Sequence, residues 1–179
     1  MPNNKENLKE YISEDQILSR VKEISVEISK KYLNDPPIFI CVLKGSFIFV
    51  ADLIRAMEID CEIDFIQVSS YSGTSSNQKI DLIKDISLNV KNRNIVIIED
   101  IIDTGITIKF LKKWLNKLEP KSIAIVTLLM KPQIANIDFK IDWVGFEITP
   151  EFVVGYGLDF DQKLRNLRGI YILGGNESE

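Results

Sequence analysis

The residues most able to do chemistry lie close together past the middle of the chain. In NIVIIEDIIDTGIT, residues 94–107, an apolar run ends on Glu99 and Asp100, and Asp103 follows. Directly after it comes Thr104-Gly105-Ile106-Thr107, where a helical pattern opens. A glycine there lets several backbone N–H groups point at one spot. The helix adds the positive end of its dipole, and Thr104 and Thr107 add hydroxyl donors. The combination makes a cup of the size of a monophosphate; read more plainly, it is a strand–turn–helix with a threonine cap. The chain carries no G-x-x-x-x-G-K-[ST] loop. Two carboxylates fixed at the end of a buried strand can accept hydrogen bonds from a sugar diol, or neutralise Mg²⁺ bound to a substrate. Cup and acids together describe a site for a ribose 5-phosphate, with the acids facing the sugar and not the phosphate. The bland alternative is a solvated acidic loop end.

The elements that must hold these groups can be read from periodicity. Ser13-Glu14-Asp15-Gln16 has the form of a capping box, and Ile17, Val21, Ile24 and Ile28 follow at helical spacing. That helix is predicted to end near Asn34-Asp35, before Pro36-Pro37. PIFICVL reads as a buried strand, and Phe47, Val50, Ile54 and Met57 mark a second helix. CEIDFIQVSS alternates like a strand with one wet face, Ser70 to Gln78 reads as a mobile loop, and KIDLIKDI returns from it as a hairpin. NIVII is the central strand, and Leu111, Trp114, Leu115 and Leu118 mark a third helix. SIAIVTLLM, DWVGFEI and IYILG complete the strands. Alternating strand and helix patterns predict an α/β fold with a mainly parallel sheet between helices. In such sheets ligands bind beyond the carboxyl ends of the strands. Here ICVL ends in Lys44-Gly45, IVII in Glu99-Asp100 and TLLM in Lys131.

Composition narrows the chemistry. The 179 residues fit one domain, 45% of them are apolar, and no internal repeat or linker divides them. No apolar run approaches the ~18 residues of a membrane span, and MPNNKENLKEY lacks a signal-peptide stretch. The expectation is a soluble cytoplasmic protein, with no membrane partner. A net charge of −4 argues against a nucleic-acid partner. Cys41 and Cys61 have no metal-type spacing and read as thiols in a reducing compartment. There is no histidine, so proton transfer must fall to carboxylates, lysine or tyrosine.

VIIEDIIDTGIT resembles the signature of the type I phosphoribosyltransferases, and its Glu-Asp-Ile-Ile-Asp-Thr-Gly form resembles their 6-oxopurine branch. LKGSF, SSYSGT, LLMKP, VGFEI and FVVGYGLDF stand in family order, so the resemblance spans about Leu43 to Leu167. It implies a type I phosphoribosyltransferase fold as a single domain over residues 1–179, with a central mainly parallel sheet, a small hood and a flexible loop. It also implies Mg²⁺-dependent purine salvage: 5-phosphoribosyl 1-diphosphate and hypoxanthine or guanine give IMP or GMP and diphosphate. By that likeness Glu99 and Asp100 would hold the ribose hydroxyls, directly or through Mg²⁺. Asp103 would be the general base at purine N7, and Asp103, Thr104, Gly105, Ile106 and Thr107 would cradle the 5-phosphate. Lys44, Gly45 and Arg165 would contact the diphosphate, after a peptide that is often cis in the family. Ser70 and Tyr71 would belong to the flexible loop closing the site. Lys131 would bond the purine O6, Phe152 would stack on the base, and Val153 and Asp159 would border it. Asp159 would also hold a second Mg²⁺. The family forms homodimers and homotetramers.

On pattern alone Lys131 could be a surface lysine and Phe152 plain core; Trp143 reads as core. Asp64, Asp81 and Asp85 read as solvated or turn acids. Ile106 departs from relatives that carry lysine there, leaving the phosphate to the backbone, and Ser46 and Gly157 also vary. A receiver domain would place its acid pair near its start. A regulator built on the same fold would lose the base or the lid, or gain a basic face. An adenine-specific enzyme would not want a lysine suited to an oxo group. The ranking of hypoxanthine, guanine and xanthine stays open.

Overall fold

The computed structural model describes residues 8–71 and 79–174. The chain runs β1 (Leu8–Ile12), α1 (Glu14–Lys31), β2 (Ile38–Leu43), α2 (Phe47–Ala56), β3 (Glu62–Tyr71), β4 (Lys79–Lys84), β5 (Asn94–Ile102), α3 (Ile106–Asn116), β6 (Ser122–Met130), β7 (Trp143–Glu147), β8 (Val153–Val154) and β9 (Ile170–Leu173). A six-stranded sheet has the order β4-β3-β2-β5-β6-β7, parallel except for the β3–β4 hairpin. A three-stranded antiparallel sheet, β1-β9-β8, forms the small hood.

β5 shows why the large sheet is covered on both faces. Its residues alternate between two cores. Val96 and Ile98 pack with Ile17, Ile24 and Ile28 of α1 and Phe49 and Leu53 of α2. Ile95 and Ile97 pack with Ile108, Leu111 and Leu115 of α3. A strand apolar at every position suits only a doubly covered sheet. Register then sets the site. Cys41 lies opposite Ile98, Glu99 opposite Thr127 and Ile102 opposite Met130. The segments after β2, within the end of β5 and after β6 therefore emerge at one edge.

α1 opens on the predicted capping box: Gln16 N donates to Ser13 Oγ at 3.4 Å and Ser13 N to Gln16 Oε1 at 2.9 Å. It ends at Lys31, before the Asn34-Asp35 point, because Tyr32 turns into the core and Asp35 N closes a turn on Tyr32 O. The buried face of α2 is Phe49, Val50 and Leu53; Phe47, expected on that face, starts the helix and stays exposed. Leu118 falls beyond α3 and is likewise exposed.

Asp64 corrects the reading of it as a solvated acid. It is buried, accepts N–H bonds from Phe65, Ser87 and Leu88, and lies 3.6 Å from Lys84 Nζ. Burial alone would raise its pKa, but the hydrogen bonds from Leu88, Ser87 and Phe65 outweigh it and the net shift is downward. It thereby fastens the segment leading to β5 onto β3. Asp64→Ala is expected to cost about 3 kcal/mol in urea unfolding at pH 7, since three N–H groups lose their acceptor. A lowered folded pKa gives stability present above the unfolded value of about 3.9 and lost as pH falls through the folded value. The difference between the two proteins should shrink from pH 7 to pH 3; a constant difference would contradict this role.

Candidate active site

The cup forms where β5 passes into α3. Gly105, at φ 84°, ends the turn, and a methyl there would lie 2.4 Å from Ile137 Cγ2. Both the left-handed backbone and the close neighbour demand glycine. Asn136 N donates to Thr104 O at 3.1 Å, tying the turn to the segment after β6. The first α-helical bond is Lys109 N to Gly105 O, 3.1 Å; the N-cap Gly105 has no side chain, and Ile106 N donates weakly to Thr104 Oγ1 at 3.4 Å. The other amides of the first turn keep their capacity for an anion. Glu99 to Ile108 line a cavity of about 230 Å³.

Beside the cup stand the acids. Glu99 is 7% exposed, and its Oε2 is the one buried side-chain oxygen or nitrogen among the described residues that lacks a hydrogen-bond partner. Burial, and then the neighbouring Asp100, push its pKa well up. Asp100 is half-buried and takes Ile101 N–H on Oδ1 at 2.9 Å. Burial pushes it up to about 6, against the pull of backbone N–H bonds and of Arg165. Its carboxylate lies so close to Gly45 that a methyl on Gly45 would fall 1.6 Å from Asp100 Oδ2. Glycine at 45 is thus the condition for bringing Asp100 up to the Lys44–Gly45 loop. An orphaned buried oxygen beside a second carboxylate suits a hydroxyl donor or a hard cation that keeps most of its ligands from substrate and water. Among the described residues no cluster of three carboxylates stands ready as a protein-only metal cage.

The third wall joins distant segments. The Leu43–Lys44 peptide is cis, and Lys44 is exposed. A methyl on Gly157 would lie 2.0 Å from Gly45 O, so the Gly155-Tyr156-Gly157 turn sits directly on the Lys44–Gly45 loop. Arg165 Nη1 donates to Gly157 O at 2.8 Å, and Arg165 Nη2 lies 2.8 Å from Asp159 Oδ1. Gly45, Asp100, Asp159 and Arg165 are thus brought together, with Lys44 adjoining them in the chain.

On the far side Lys131 is buried, with Nζ 3.5 Å from Asp103 Oδ2. This corrects the surface-lysine alternative. Phe152 is 52% exposed and meets Phe160 edge-on at 5.9 Å, which removes the plain-core alternative for it. Next to it in sequence, hydrogen bonds from Thr149 and from its own N–H, and last the charge of Lys131, lower the pKa of Glu151. Val153 is buried in β8, and Trp143 is core beneath Lys31. Ser70 and Tyr71 correct the loop boundary: their backbones close β3 opposite Ile80 and Lys79. The rest of the expected mobile loop, residues 72–78, lies outside the described residues.

A mainly parallel sheet with a hood, and a glycine-turn anion cup flanked by carboxylates at its carboxyl edge, define a phosphoribosyltransferase. The chain belongs to that family: the family model described as phosphoribosyl transferase domain matches residues 8–161. The chain is 46% identical over 166 residues to a hypoxanthine-guanine phosphoribosyltransferase of Bacillus subtilis, covering 92% of each. It superposes on a crystal structure of a hypoxanthine-guanine phosphoribosyltransferase from Bacillus anthracis with TM-score 0.89 and 42% identity, covering 93% of this chain and 98% of that one. A hypoxanthine phosphoribosyltransferase from Trypanosoma cruzi, solved with the product IMP, gives TM-score 0.87 at 36% identity, over 95% of this chain and 96% of that one.

Two residues that shape the site are not evident from the sequence pattern: Ile137, which presses on Gly105, and Tyr156, whose hydroxyl donates to Asp52 Oδ2. Only the runs GYG and D-x-G hint that something must approach closely there.

Glu99 has a measurable signature. A carboxyl with a raised folded pKa gives stability that is present below its unfolded value of about 4.3 and lost as pH rises above it. Glu99→Gln in EDTA at pH 7.5 should therefore melt about 2–5 °C higher than the unsubstituted protein, with the gap closing toward pH 4. A lower melting temperature at pH 7.5 would show that Glu99 is not an uncompensated buried acid.

Proposed function

We propose that this chain is a purine-salvage transferase that moves the 5-phosphoribosyl group from 5-phosphoribosyl 1-diphosphate to N9 of hypoxanthine or guanine, giving IMP or GMP and diphosphate. The observation that carries the reading is the Lys131–Asp103 pair, with Nζ and Oδ2 3.5 Å apart, at the mouth of the phosphate cup. A lysine ammonium donates to an oxo group at the purine 6-position and repels the amino group of adenine. Asp103 stands beside it with its side chain 50% exposed, free to reach the ring. In this reading Asp103 to Thr107 hold the 5-phosphate with backbone N–H and hydroxyl groups. Glu99 and Asp100 accept from the ribose hydroxyls. Phe152 stacks on the base, and Val153 and Asp159 border it.

The step breaks the ribose C1–O bond toward diphosphate and forms C1–N9, while the N7 proton passes to Asp103. Positive charge builds on the sugar as the bond loosens, as in glycoside cleavage. The carboxylates stabilise that charge, and Lys44, the Gly45 loop and Arg165 receive the departing diphosphate. Glu99, Asp100 and Asp159 are the residues that would hold Mg²⁺, which would supply further neutralisation of the diphosphate. Ser70 and Tyr71, at the root of the segment 72–78, would help shield the centre from water.

We read the chain as one domain acting in the cytoplasm, where Cys41 and Cys61 stay reduced, and as a homodimer or homotetramer. The exposed Ile63, Phe65 and Ile83 on β3 and β4 offer an apolar face for such an assembly.

Nucleotide formation from 5-phosphoribosyl 1-diphosphate and Mg²⁺ tests the reading, with hypoxanthine, guanine, xanthine and adenine offered in parallel. Turnover of hypoxanthine or guanine and not adenine is expected. Asp103→Asn should lower kcat by about 10²–10³-fold while the protein stays folded. Folded protein that turns over none of the bases would overturn it.

A further inference from the structure

The turn Gly155-Tyr156-Gly157 is held in an unusual way. All three residues have positive φ: 98°, 48° and 101°. Glycine adopts that backbone freely, but tyrosine does so only against a steric penalty, so something must hold Tyr156 there. Its ring is buried, and its hydroxyl donates to Asp52 Oδ2 at 2.5 Å, across 104 residues of sequence. Asp52 belongs to α2, the helix that follows the Lys44–Gly45 loop. Its other oxygen lies 3.6 Å from Arg55 Nη1.

The backbone on either side reaches the site. Tyr156 N donates to Leu167 O at 2.8 Å, and Gly157 N to Arg165 O at 2.9 Å. Gly157 O accepts from the Arg165 guanidinium, which pairs with Asp159. Gly157 itself leaves no room for a methyl against Gly45 O. The turn is therefore where the Asp159–Arg165 segment docks on the Lys44–Gly45 loop. The Tyr156–Asp52 bond ties that turn to the body of α2.

We propose that Tyr156 and Asp52 are positioning residues for the diphosphate end of the substrate. Their hydrogen bond sets the spacing between Arg165 and the Lys44–Gly45 loop without touching substrate. This rests on the phosphoribosyl-transfer reading above. It is specific in one respect: among the described residues the polar contacts of the pair run to Arg55 and, through the Tyr156 backbone, to Leu167, and none runs to Lys131, Phe152 or Asp103 to Thr107, so loss of the bond acts on one end of the site.

Tyr156→Phe keeps the ring and the burial and removes only the donor. Asp52→Ala removes the acceptor, and Asp52→Asn restores an acceptor oxygen without charge. Steady-state kinetics should show KM for 5-phosphoribosyl 1-diphosphate raised about five- to tenfold in Tyr156→Phe and Asp52→Ala, the span of one hydrogen bond. KM for hypoxanthine should move less than about twofold, and Asp52→Asn should recover most of the loss. The double variant should be no worse than either single one. Calorimetric binding of diphosphate with Mg²⁺ should weaken in parallel, which is read without turnover. If the unsubstituted protein turns over substrate and Tyr156→Phe matches it in KM and diphosphate affinity, the positioning role is wrong and the transferase reading stands. The role is equally wrong if both KM values rise together with a large fall in melting temperature. If no base is turned over yet Tyr156→Phe weakens diphosphate, the transferase reading fails and the positioning role survives. If the unsubstituted protein neither transfers nor binds diphosphate, both fail.

Discussion

Near the end of β5 a carboxyl group is buried with one oxygen unpartnered among the described residues, next to a second carboxyl jammed against a glycine. Glu99 Oε2 finds no donor there, and Asp100 leaves no room for any side chain at position 45. Placing an acid in such surroundings costs several kcal/mol unless something compensates it. The strand offsets that cost. Ile95, Val96, Ile97 and Ile98 are all at 0% exposure, and each contributes about 2 kcal/mol of burial. The apolar stretch thus fixes two acids at a point they would otherwise avoid. On the proposed function, a ligand that supplies hydroxyls and positive charge there would be the compensation. Acids beside an anion cup are then no contradiction, since the phosphate would lie on the α3 amides and the acids would address the sugar and cations.

The same placement orders the other charges. Arg165 lowers the pKa of Asp100 while Asp159 raises it, so the Arg165–Asp159 pair and Asp100 already feel one another. Lys131, drawn out of solvent by β6, pairs with Asp103 across the cup mouth. Lys131 and Arg165 therefore each have an acid to hold them in position, and on the proposed function a substrate carrying negative charge at two ends and an oxo group would take over those cations.

Much of this was legible in sequence, for a physical reason. Charged residues directly after apolar strand runs must lie at the sheet edge, and parallel strands share that edge, so Lys44, Glu99, Asp100 and Lys131 could be grouped from pattern alone. The glycine turn before α3 is likewise local, as is the capping box of α1. What stayed hidden depends on contacts remote in sequence. β1, LKEYI, carries two charges in five residues and reads as a polar terminus until β9 pairs with it. Asp64 finds its donors 23 and 24 residues further on. Tyr156 finds Asp52 104 residues back. The buried face of α2 shifted because Phe47, apolar and in helical phase, sits at the rim of the site and not over the core.

The most direct measurement is a crystal structure of the protein with Mg²⁺ and 5-phosphoribosyl 1-diphosphate. The expected result is the 5-phosphate on the backbone amides of Asp103 to Thr107. A ribose hydroxyl or a cation should lie within bonding distance of Glu99 Oε2, and the diphosphate between Lys44 and Arg165. A phosphate bound elsewhere, or a Glu99 Oε2 still without a partner in the filled site, would contradict the claim that the buried acid is there to meet the sugar.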